Sequence, residues 1–309
     1  MAILFRSSPA ATARWRPLLA ELMPDHEFRF WPEIGDPADI EYAMVWQPPP
    51  GLLASLPKLK LICGLGAGID HLVRDPDLPR HVPIMRLVDP YMTDAMSEYV
   101  VLSVLRLHRQ DLDYLAQQRA EIWEERDQKN ACERPVGILG FGTLGQDAGR
   151  KLKALGFPVA GWSRSAKEVA GFATFAAQDG LDALLARSEI LVCLLPLTAE
   201  TEGILNAGLF ARLARGAGLV NAGRGGHLVE ADLIPALDGG RLSGAVLDVV
   251  GEEPLPKGHP FWHHPRIIVT PHIAAETHPP TATRIIGDVI RRFAAGQPVA
   301  NIVDLARGY

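Results

Sequence analysis

Arg224, Glu253 and His272 each lie shortly after an apolar run of the kind that forms a buried strand. Together they supply what the reduction of a carbonyl beside a carboxylate needs. An arginine orients the planar carboxylate and polarises the carbonyl oxygen, a histidine delivers a proton to the developing alkoxide, and a carboxylate holds the imidazole in its acid form. Each residue alone also has an ordinary interpretation, as a loop cation, a solvated acid or a capping histidine. The three residues together indicate catalysis when a cofactor-binding motif accompanies them.

A glycine-rich turn of the G-x-G-x-x-G type provides that motif. Gly140, Gly142 and Gly145 follow the apolar run 136–139. The first glycine permits a tight turn, the second lets the backbone approach a pyrophosphate, and the third lets a helix pack closely on a strand. Thr143 and Leu144 open the helix, whose N-terminus offers unpaired N–H groups. The motif predicts a dinucleotide-binding turn.

The residues about twenty positions beyond such a turn indicate which dinucleotide binds. An NAD site usually has an acidic residue there, which holds the ribose 2′-OH. This chain has Ser163, Arg164 and Ser165 instead. Without a carboxylate a 2′-phosphate is not repelled, and an arginine can bind it bidentately. The alternative is an ordinary solvated arginine. The pattern favours NADP(H), with NAD(H) as the second cofactor.

Short apolar runs alternate with helix-length segments, which is typical of βαβ units in a parallel sheet. The fold class is therefore α/β with doubly wound parallel sheets, and ligands are expected where strands end. The predicted strands are 2–5, 42–45, 59–63, 84–87, 136–139, 158–161, 190–194, 219–221, 244–248 and 267–270, with one more short strand in the final segment.

The helix predictions also set the domain organisation. They cover 94–118, with Thr93 as its N-cap, and 144–155, 181–186, 228–238 and 280–295. After the first helix a polar stretch around Trp123 indicates an exposed arm or a dimer contact. A chain of 309 residues is expected to form two domains. We predict a cofactor-binding domain at 98–277 and a substrate-binding domain at 1–97 plus 278–309.

Composition limits the partners and the compartment. The net charge of −5 does not indicate a surface for nucleic acid. Apolar runs are far shorter than the roughly 20 residues that a membrane span needs. The three cysteines are widely spaced and form no C-x-x-C pattern, so neither a disulfide framework nor a metal site is expected. A reducing, cytoplasmic location is the simplest interpretation.

The chain resembles the D-isomer-specific 2-hydroxyacid dehydrogenases along nearly its whole length. The shared motifs are GFGTLG at 140–145, LLPLTAET at 194–201, NAGRG at 221–225, LDVVGEEPLP at 247–256 and TPHIA at 270–274. Within the family it is most similar to the glyoxylate/hydroxypyruvate reductase branch. The motifs of that branch are VWQP at 45–48, LGAGIDHL at 65–72, WSRS at 162–165 and DLARGY at 304–309. The resemblance implies two flavodoxin/Rossmann-like lobes with an active-site cleft between them, and a homodimer formed through the cofactor domain.

The resemblance also implies roles for single positions. Arg224 binds the substrate carboxylate and carbonyl, and His272 acts as general acid/base. Glu253 is the partner of His272, chosen over Glu252 because the family pattern is glutamate followed by proline. The further cofactor positions are Asp248, as acceptor for the nicotinamide carboxamide, and Leu195 and Pro196, which flank the adenosine. The further substrate positions are Trp46, which limits substrate size, and the backbone of Leu65, Gly66, Ala67 and Gly68.

The predicted function is an NADPH-preferring reduction of small 2-oxo acids, glyoxylate to glycolate and hydroxypyruvate to glycerate. One departure concerns the substrate pocket, because His278 stands where related chains are expected to have arginine. Two alternatives stay open. One is another D-2-hydroxyacid dehydrogenase, of the sugar-acid or phosphoglycerate type. The other is a regulator that binds the dinucleotide without turnover, against which the intact set of Arg224, Glu253 and His272 argues.

Overall fold

The computed structural model describes residues 2–305. Met1 and residues 306–309, with most of the DLARGY motif, lie outside the described residues. The chain divides into two compact units, one formed by 1–92 and 276–309 and the other by 93–275. The domain boundaries expected from the sequence, at 97/98 and 277/278, stay a prediction.

Each unit is built on one parallel sheet. In the first unit the strands are β1 (Ala2–Arg6), β2 (Glu27–Phe30), β3 (Ile40–Val45), β4 (Leu61–Gly64) and β5 (Ile84–Met85). In the second they are β6 (Val136–Leu139), β7 (Val159–Ser163), β8 (Ala173–Ala176), β9 (Ile190–Cys193), β10 (Ala217–Asn221), β11 (Leu242–Leu247) and β12 (Ile267–Val269).

The strand orders are those of doubly wound folds. The first sheet runs β2-β1-β3-β4-β5, and the second runs β12-β11-β10-β9-β6-β7-β8. The first is the flavodoxin-like order, and the second is the Rossmann order with one added edge strand. In the second sheet the order reverses between β6 and β9, so a crevice is expected beyond the carboxyl ends of these two strands. The predicted α/β class is confirmed.

The helices are α1 (Pro9–Leu22), α2 (Asp70–Val73), α3 (Pro90–His108), α4 (Asp111–Arg119), α5 (Thr143–Ala154), α6 (Ala177–Arg187), α7 (Ala207–Arg212), α8 (Glu230–Asp238) and α9 (Pro279–Ala294). The sequence interpretation missed α1, α2, α7, β2 and β8. Two of these have clear start signals, since Ser8 accepts a hydrogen bond from Ala11 N and Asn206 accepts one from Leu209 N. Among residues 2–305, no helix is long and apolar enough to cross a membrane.

The single helix predicted over 94–118 is wrong in two respects. It begins at Pro90, and Thr93 lies inside it. Asp89 fills the cap position, accepting a hydrogen bond at 3.0 Å from Tyr91 N. The helix also breaks at Gln110, which has a left-handed φ of 58°. A left-handed residue cannot continue a right-handed helix, so α4 starts afresh at Asp111.

Candidate functional site

The glycine turn of the second unit connects β6 to α5. Gly140 has a φ of 90°, and a Cβ there would lie 2.5 Å from the Leu194 carbonyl oxygen. A Cβ on Gly145 would lie 2.4 Å from the Gly140 oxygen. A Cβ on Gly142, at the start of α5, would meet no atom within 4 Å. Two glycines therefore allow the turn to pack, and the third opens space in front of the helix N-terminus, where Thr143 and Leu144 begin the helix.

The adenosine end predicted from the sequence lies at the carboxyl end of β7. The Ser163 hydroxyl is buried and has no hydrogen-bond partner within the described residues. Arg164 Nη1 donates to Glu200 Oε2 at 3.1 Å, and both side chains are well exposed. Ser165, the next residue, is exposed. A buried hydroxyl without a partner thus stands next in sequence to an exposed arginine.

Leu195 and Pro196 follow β9, next to the glycine turn in the sheet order. Leu195 is buried, and the Pro196 carbonyl accepts a hydrogen bond from Thr201 Oγ1 at 2.7 Å. The same carbonyl lies 3.3 Å from Nε2 of His227, a fully buried residue. His227 Nδ1 accepts from Arg224 N at 3.0 Å. His227 therefore connects the segment predicted to flank the adenosine with the segment that carries Arg224.

Arg224 follows β10 in a loop with little freedom. A Cβ on Gly225 would lie 1.8 Å from the Val250 carbonyl oxygen, so only glycine fits there. Asn221 Nδ2 donates to the Arg224 carbonyl at 3.1 Å. Arg224 Nη1 donates to the Gly223 carbonyl at 2.8 Å. The backbone on both sides of Arg224 is thus fixed by its neighbours. This limits the positions that the guanidinium can reach.

Asp248, just after β11, holds the loop that carries His272. Its carboxylate accepts from Thr270 Oγ1 at 2.6 Å, Ile273 N at 2.9 Å and Ala274 N at 2.9 Å. Its backbone carbonyl accepts from His272 N at 2.9 Å. Asp248 is thus an organiser of this loop, a role that the sequence interpretation did not foresee. A carboxylate has about four acceptor sites, so the expected carboxamide contact is compatible with these bonds.

His272 and Glu253 form a direct pair. His272 Nδ1 lies 2.8 Å from Glu253 Oε2, and each side chain is about a third exposed. Glu253 Oε1 accepts a hydrogen bond from Val250 N at 3.3 Å. Burial raises the pKa of the Glu253 carboxyl, but the bond and charge of His272, the Val250 N–H and the Arg224 charge outweigh it. The net pKa lies below the ordinary glutamate value.

The protonation of this pair follows from the carboxylate. An ionised Glu253 can only accept, so His272 Nδ1 carries a hydrogen and donates it. The exchangeable proton of the imidazole is therefore on Nε2. His272 itself has a left-handed φ of 56°, which is rare for a residue with a Cβ and is typical of functional sites. The structure brings His272 and Glu253 into contact, with Arg224 close enough for its charge to act on Glu253.

In the first unit, the turn predicted to bind a carboxylate follows β4. Leu65 N donates to the Val45 carbonyl at 3.0 Å, and the Gly66 carbonyl accepts from Leu87 N at 3.1 Å. Within the described part of the chain, the N–H groups of Gly66, Ala67 and Gly68 donate to no protein acceptor. Successive unpaired backbone N–H groups form a concave site for an anion.

Trp46 packs directly on this turn. A Cβ on Gly66 would lie 2.7 Å from Trp46 Cζ3, so only a glycine lets the indole approach the backbone this closely. Trp46 also contacts His71, whose ring centroid lies 4.4 Å from that of Trp46. Trp46 N donates to the Arg6 carbonyl at 2.8 Å, and Arg6 Nη1 donates back to the Trp46 carbonyl. The indole is therefore a fixed wall.

Sequence reasoning missed several groups that position the predicted side chains. They are Asn221, His227 and Thr270, and also Tyr99, whose hydroxyl lies 2.7 Å from Thr270 Oγ1 and whose pKa burial raises to about 12. Asn221, His227 and Thr270 each stand within three residues of a predicted catalytic residue, so their polar character in these segments was an available signal.

Comparison with known proteins gives a family and close structural relatives. A sequence model of the D-isomer specific 2-hydroxyacid dehydrogenase NAD binding domain matches residues 101–274. The chain is 41% identical over 314 residues to glyoxylate/hydroxypyruvate reductase A of Yersinia enterocolitica, and the alignment covers 100% of both chains. It is 42% identical to the protein of the same name from Serratia proteamaculans, again with 100% of both chains covered.

Two solved structures show the same fold over the whole chain. One is a D-isomer specific 2-hydroxyacid dehydrogenase from Xanthobacter autotrophicus Py2 in complex with NADPH and MES. It has a TM-score of 0.94 and 42% identity, covering 100% of this chain and 99% of that one. The other is the NADPH-dependent glyoxylate/hydroxypyruvate reductase from Sinorhizobium meliloti in complex with NADP and sulfate. Its TM-score is 0.91 at 41% identity, with 100% of both chains covered.

Proposed function

Since the chain belongs to the D-isomer specific 2-hydroxyacid dehydrogenase family, we propose that it is an NADPH-dependent reductase that converts glyoxylate to glycolate and hydroxypyruvate to glycerate. The observation that carries the proposal is the pair of His272 and Glu253, joined at 2.8 Å, in the same unit as the glycine turn and Arg224. The names of the full-length relatives support the substrate class, and the cofactor of the Sinorhizobium meliloti enzyme supports NADPH.

The cofactor site proposed here fits the residues present. Gly142 leaves open space at the start of α5, where Thr143, Leu144 and Gly145 would direct backbone N–H groups and the helix dipole at a pyrophosphate. Ser163 offers a buried hydroxyl without a partner, and Arg164 an exposed guanidinium for a 2′-phosphate, with Ser165 beside them. Leu195 and Pro196 would flank the adenosine, and Asp248 would accept from the carboxamide.

When bound, NADPH would supply a hydride to the carbonyl carbon of the substrate. The residues of the chain stabilise the negative charge on the carbonyl oxygen and donate a proton to it. Arg224 polarises the carbonyl oxygen, and the proton held on His272 Nε2 moves to the oxygen as negative charge develops there. Glu253, bound to Nδ1, keeps the imidazole oriented and stabilises its charged form. In the oxidative direction Nε2 takes the proton back.

The substrate contacts proposed for the first unit are a carboxylate cradle and a size limit. The N–H groups of Gly66, Ala67 and Gly68 would bind the carboxylate, and Leu65 would hold the start of the turn. Trp46, fixed by its backbone bonds to Arg6 and by its packing on Gly66, would exclude large substituents. Short 2-oxo acids are the substrates that such a site favours.

The assembly and compartment proposed here rest on surface and cysteine observations. Ile122 and Trp123 expose their apolar side chains, Trp123 completely. Exposed apolar groups of this kind mark interaction sites, so we propose that this arm contributes to a homodimer formed through the cofactor unit. Light scattering on the purified protein should give twice the chain mass, and a monomer would contradict the dimer.

The cytoplasmic location proposed here rests on three free cysteines. Burial raises the pKa of two of them, Cys63 and Cys193, to about 12.

The experiment that tests the function is a substrate and cofactor panel. The kcat/KM values for glyoxylate, hydroxypyruvate, pyruvate, 2-ketogluconate and phenylpyruvate are measured with NADPH and with NADH. We expect glyoxylate and hydroxypyruvate with NADPH to give the highest values. A preference for 2-ketogluconate or phenylpyruvate would indicate another dehydrogenase of the family. Tight NADPH binding without turnover of any 2-oxo acid would indicate a dinucleotide-binding regulator.

A further inference from the structure

His278, the residue that replaces the expected arginine, takes part in a chain of polar contacts in the first unit. Its Nδ1 atom lies 3.2 Å from Thr281 Oγ1. Thr281 Oγ1 in turn donates to Asp89 Oδ2 at 2.5 Å. The His278 ring stacks on Tyr91, with the ring centroids 4.2 Å apart and an interplanar angle of 21°. The half-buried imidazole is therefore held on one face by an aromatic ring and at one nitrogen by a hydroxyl.

The order of these contacts fixes which nitrogen of His278 is available. Asp89 is buried, with 2% exposure, and its other oxygen accepts from Tyr91 N at 3.0 Å. A threonine hydroxyl has one hydrogen, and the short contact to the Asp89 carboxylate uses it. Thr281 Oγ1 must then accept, so His278 Nδ1 is the donor. Nε2 of His278 is the polar atom left without a protein partner among residues 2–305.

The backbone places this histidine beside the turn proposed to bind the substrate carboxylate. Thr277, the preceding residue, donates its hydroxyl hydrogen to the Leu65 carbonyl, which belongs to the first residue of that turn. Its hydroxyl also lies 3.9 Å from Met92 Sδ. The segment that carries His278 is thus pinned to the turn of Leu65 to Gly68 by a side chain one position away.

We propose that His278 is a specificity residue whose Nε2 pairs with the C3 hydroxyl of the substrate, so that it favours 2-oxo acids with a hydroxymethyl group over those without one. The proposal rests on the proposed function. A hydroxyl group both donates and accepts, so it can pair with Nε2 whether or not this atom carries a hydrogen. Thr281 and Asp89 are positioning residues, because they act by fixing the hydrogen on Nδ1.

The test compares two substitutions of His278 that introduce the same amide group on side chains of different length. In His278→Gln the amide group extends to about the position of Nε2, whereas in His278→Asn it reaches only about that of Nδ1. Both remove the aromatic stack on Tyr91, so stacking cancels in the comparison. Thr281→Val removes the hydroxyl that fixes the imidazole, and Thr281→Ser keeps it as the matched control. The measured quantity is kcat/KM for hydroxypyruvate divided by kcat/KM for glyoxylate, which has no C3 carbon.

Loss of one hydrogen bond should lower this ratio roughly three- to tenfold in His278→Asn, and less in His278→Gln. Thr281→Val should lower it in the same direction, and Thr281→Ser should keep it. The pyruvate-to-glyoxylate ratio should not fall in His278→Asn, because a methyl group makes no such bond. Equal ratios in His278→Asn and wild type, or an equal fall for pyruvate, would overturn the proposal. A wild-type enzyme that reduces neither glyoxylate nor hydroxypyruvate would instead refute the proposed function.

Discussion

His272 Nδ1 lies 2.8 Å from Glu253 Oε2, although the two residues are 19 positions apart and follow different strands. The contact is supported from the backbone, because Asp248 binds the N–H groups of His272, Ile273 and Ala274. These bonds hold His272 at its left-handed φ of 56°. Asp248 and Glu253 therefore fix the histidine together, one through its backbone and the other through its ring.

The first prediction concerns proton transfer. His272→Ala should lower kcat for glyoxylate reduction by about 10²–10⁴-fold, since general acid catalysis contributes about that much. NADPH affinity, measured by fluorescence titration, should stay within about twofold, because the imidazole acts on the substrate rather than on the adenosine. The exposed His263, on the same unit, gives a matched control, and His263→Ala should leave kcat unchanged. Near-normal turnover in His272→Ala would refute the assignment of the acid.

The second prediction concerns cofactor choice. Arg164→Ala should weaken NADPH binding roughly tenfold or more and leave NADH nearly unchanged, because a charge-assisted contact contributes about 1.5–3 kcal/mol. Glu200→Gln should strengthen NADPH binding slightly, by about twofold. Its carboxylate pairs with Arg164 at 3.1 Å, and such exposed pairs contribute about 0–1 kcal/mol. Calorimetric titration with both cofactors measures each change. Equal losses for NADPH and NADH in Arg164→Ala would contradict the role of the arginine.

The third prediction separates two glycines of similar appearance in the sequence. Gly225→Ala should lower the free energy of unfolding by about 1–3 kcal/mol, because the added Cβ would overlap the Val250 carbonyl. Gly142→Ala should fold normally, since its Cβ meets no protein atom within 4 Å. It should nevertheless weaken NADPH binding by roughly tenfold or more, because the methyl group occupies the approach to the pyrophosphate. Thermal unfolding and cofactor titration distinguish the two outcomes. A Gly142→Ala protein with wild-type NADPH affinity would argue against the proposed pyrophosphate position.

The fourth prediction concerns pH. The pKa of Glu253 is lowered in the folded protein, so its ionised form contributes stability above the unfolded-state pKa and loses it as pH falls through the folded value. Glu253→Gln should therefore destabilise the protein at about pH 7, by less than about 1 kcal/mol because the pair is a third exposed. The difference should shrink as pH falls below the ordinary glutamate range and through the lowered pKa of Glu253. Urea unfolding at several pH values measures it, and a difference that grows on acidification would have the wrong sign.

The fifth prediction concerns substrate size. Trp46→Ala should raise kcat/KM for phenylpyruvate relative to glyoxylate, because the indole packed on Gly66 is the wall proposed to exclude large groups. Trp46 is half-buried, so removal of its ring also costs stability, and Trp46→Phe serves as the better-folded companion. An unchanged ratio in both variants would place the size limit elsewhere.

The sequence by itself determined the fold class and the identity of the chemical groups. Strands of a parallel sheet are buried on both faces and read as apolar runs, so β6, β9 and β10 were visible without coordinates. The glycine turn was visible because its function depends on local backbone freedom, which is a property of the residue type. β2, β8 and the short helices α2 and α7 were missed, because a half-exposed strand or a short helix leaves little periodicity. The longer α1 was missed because only Trp15 and Leu19 in it are buried and Pro17 interrupts its pattern.

The tertiary structure decided how those groups are held, because positioning depends on contacts between residues far apart in the chain. No local sequence pattern shows that a Cβ on Gly225 would overlap the Val250 carbonyl. Nor does one show that Asp248 accepts hydrogen bonds from the loop that carries His272. Gln110 has a left-handed φ and divides the predicted helix. Because no glycine or proline stands at this position, the sequence carries no signal for the break. The available nitrogen of His278 is likewise set by Thr281 and by Asp89, almost 200 residues away, and only the packed fold brings these side chains together.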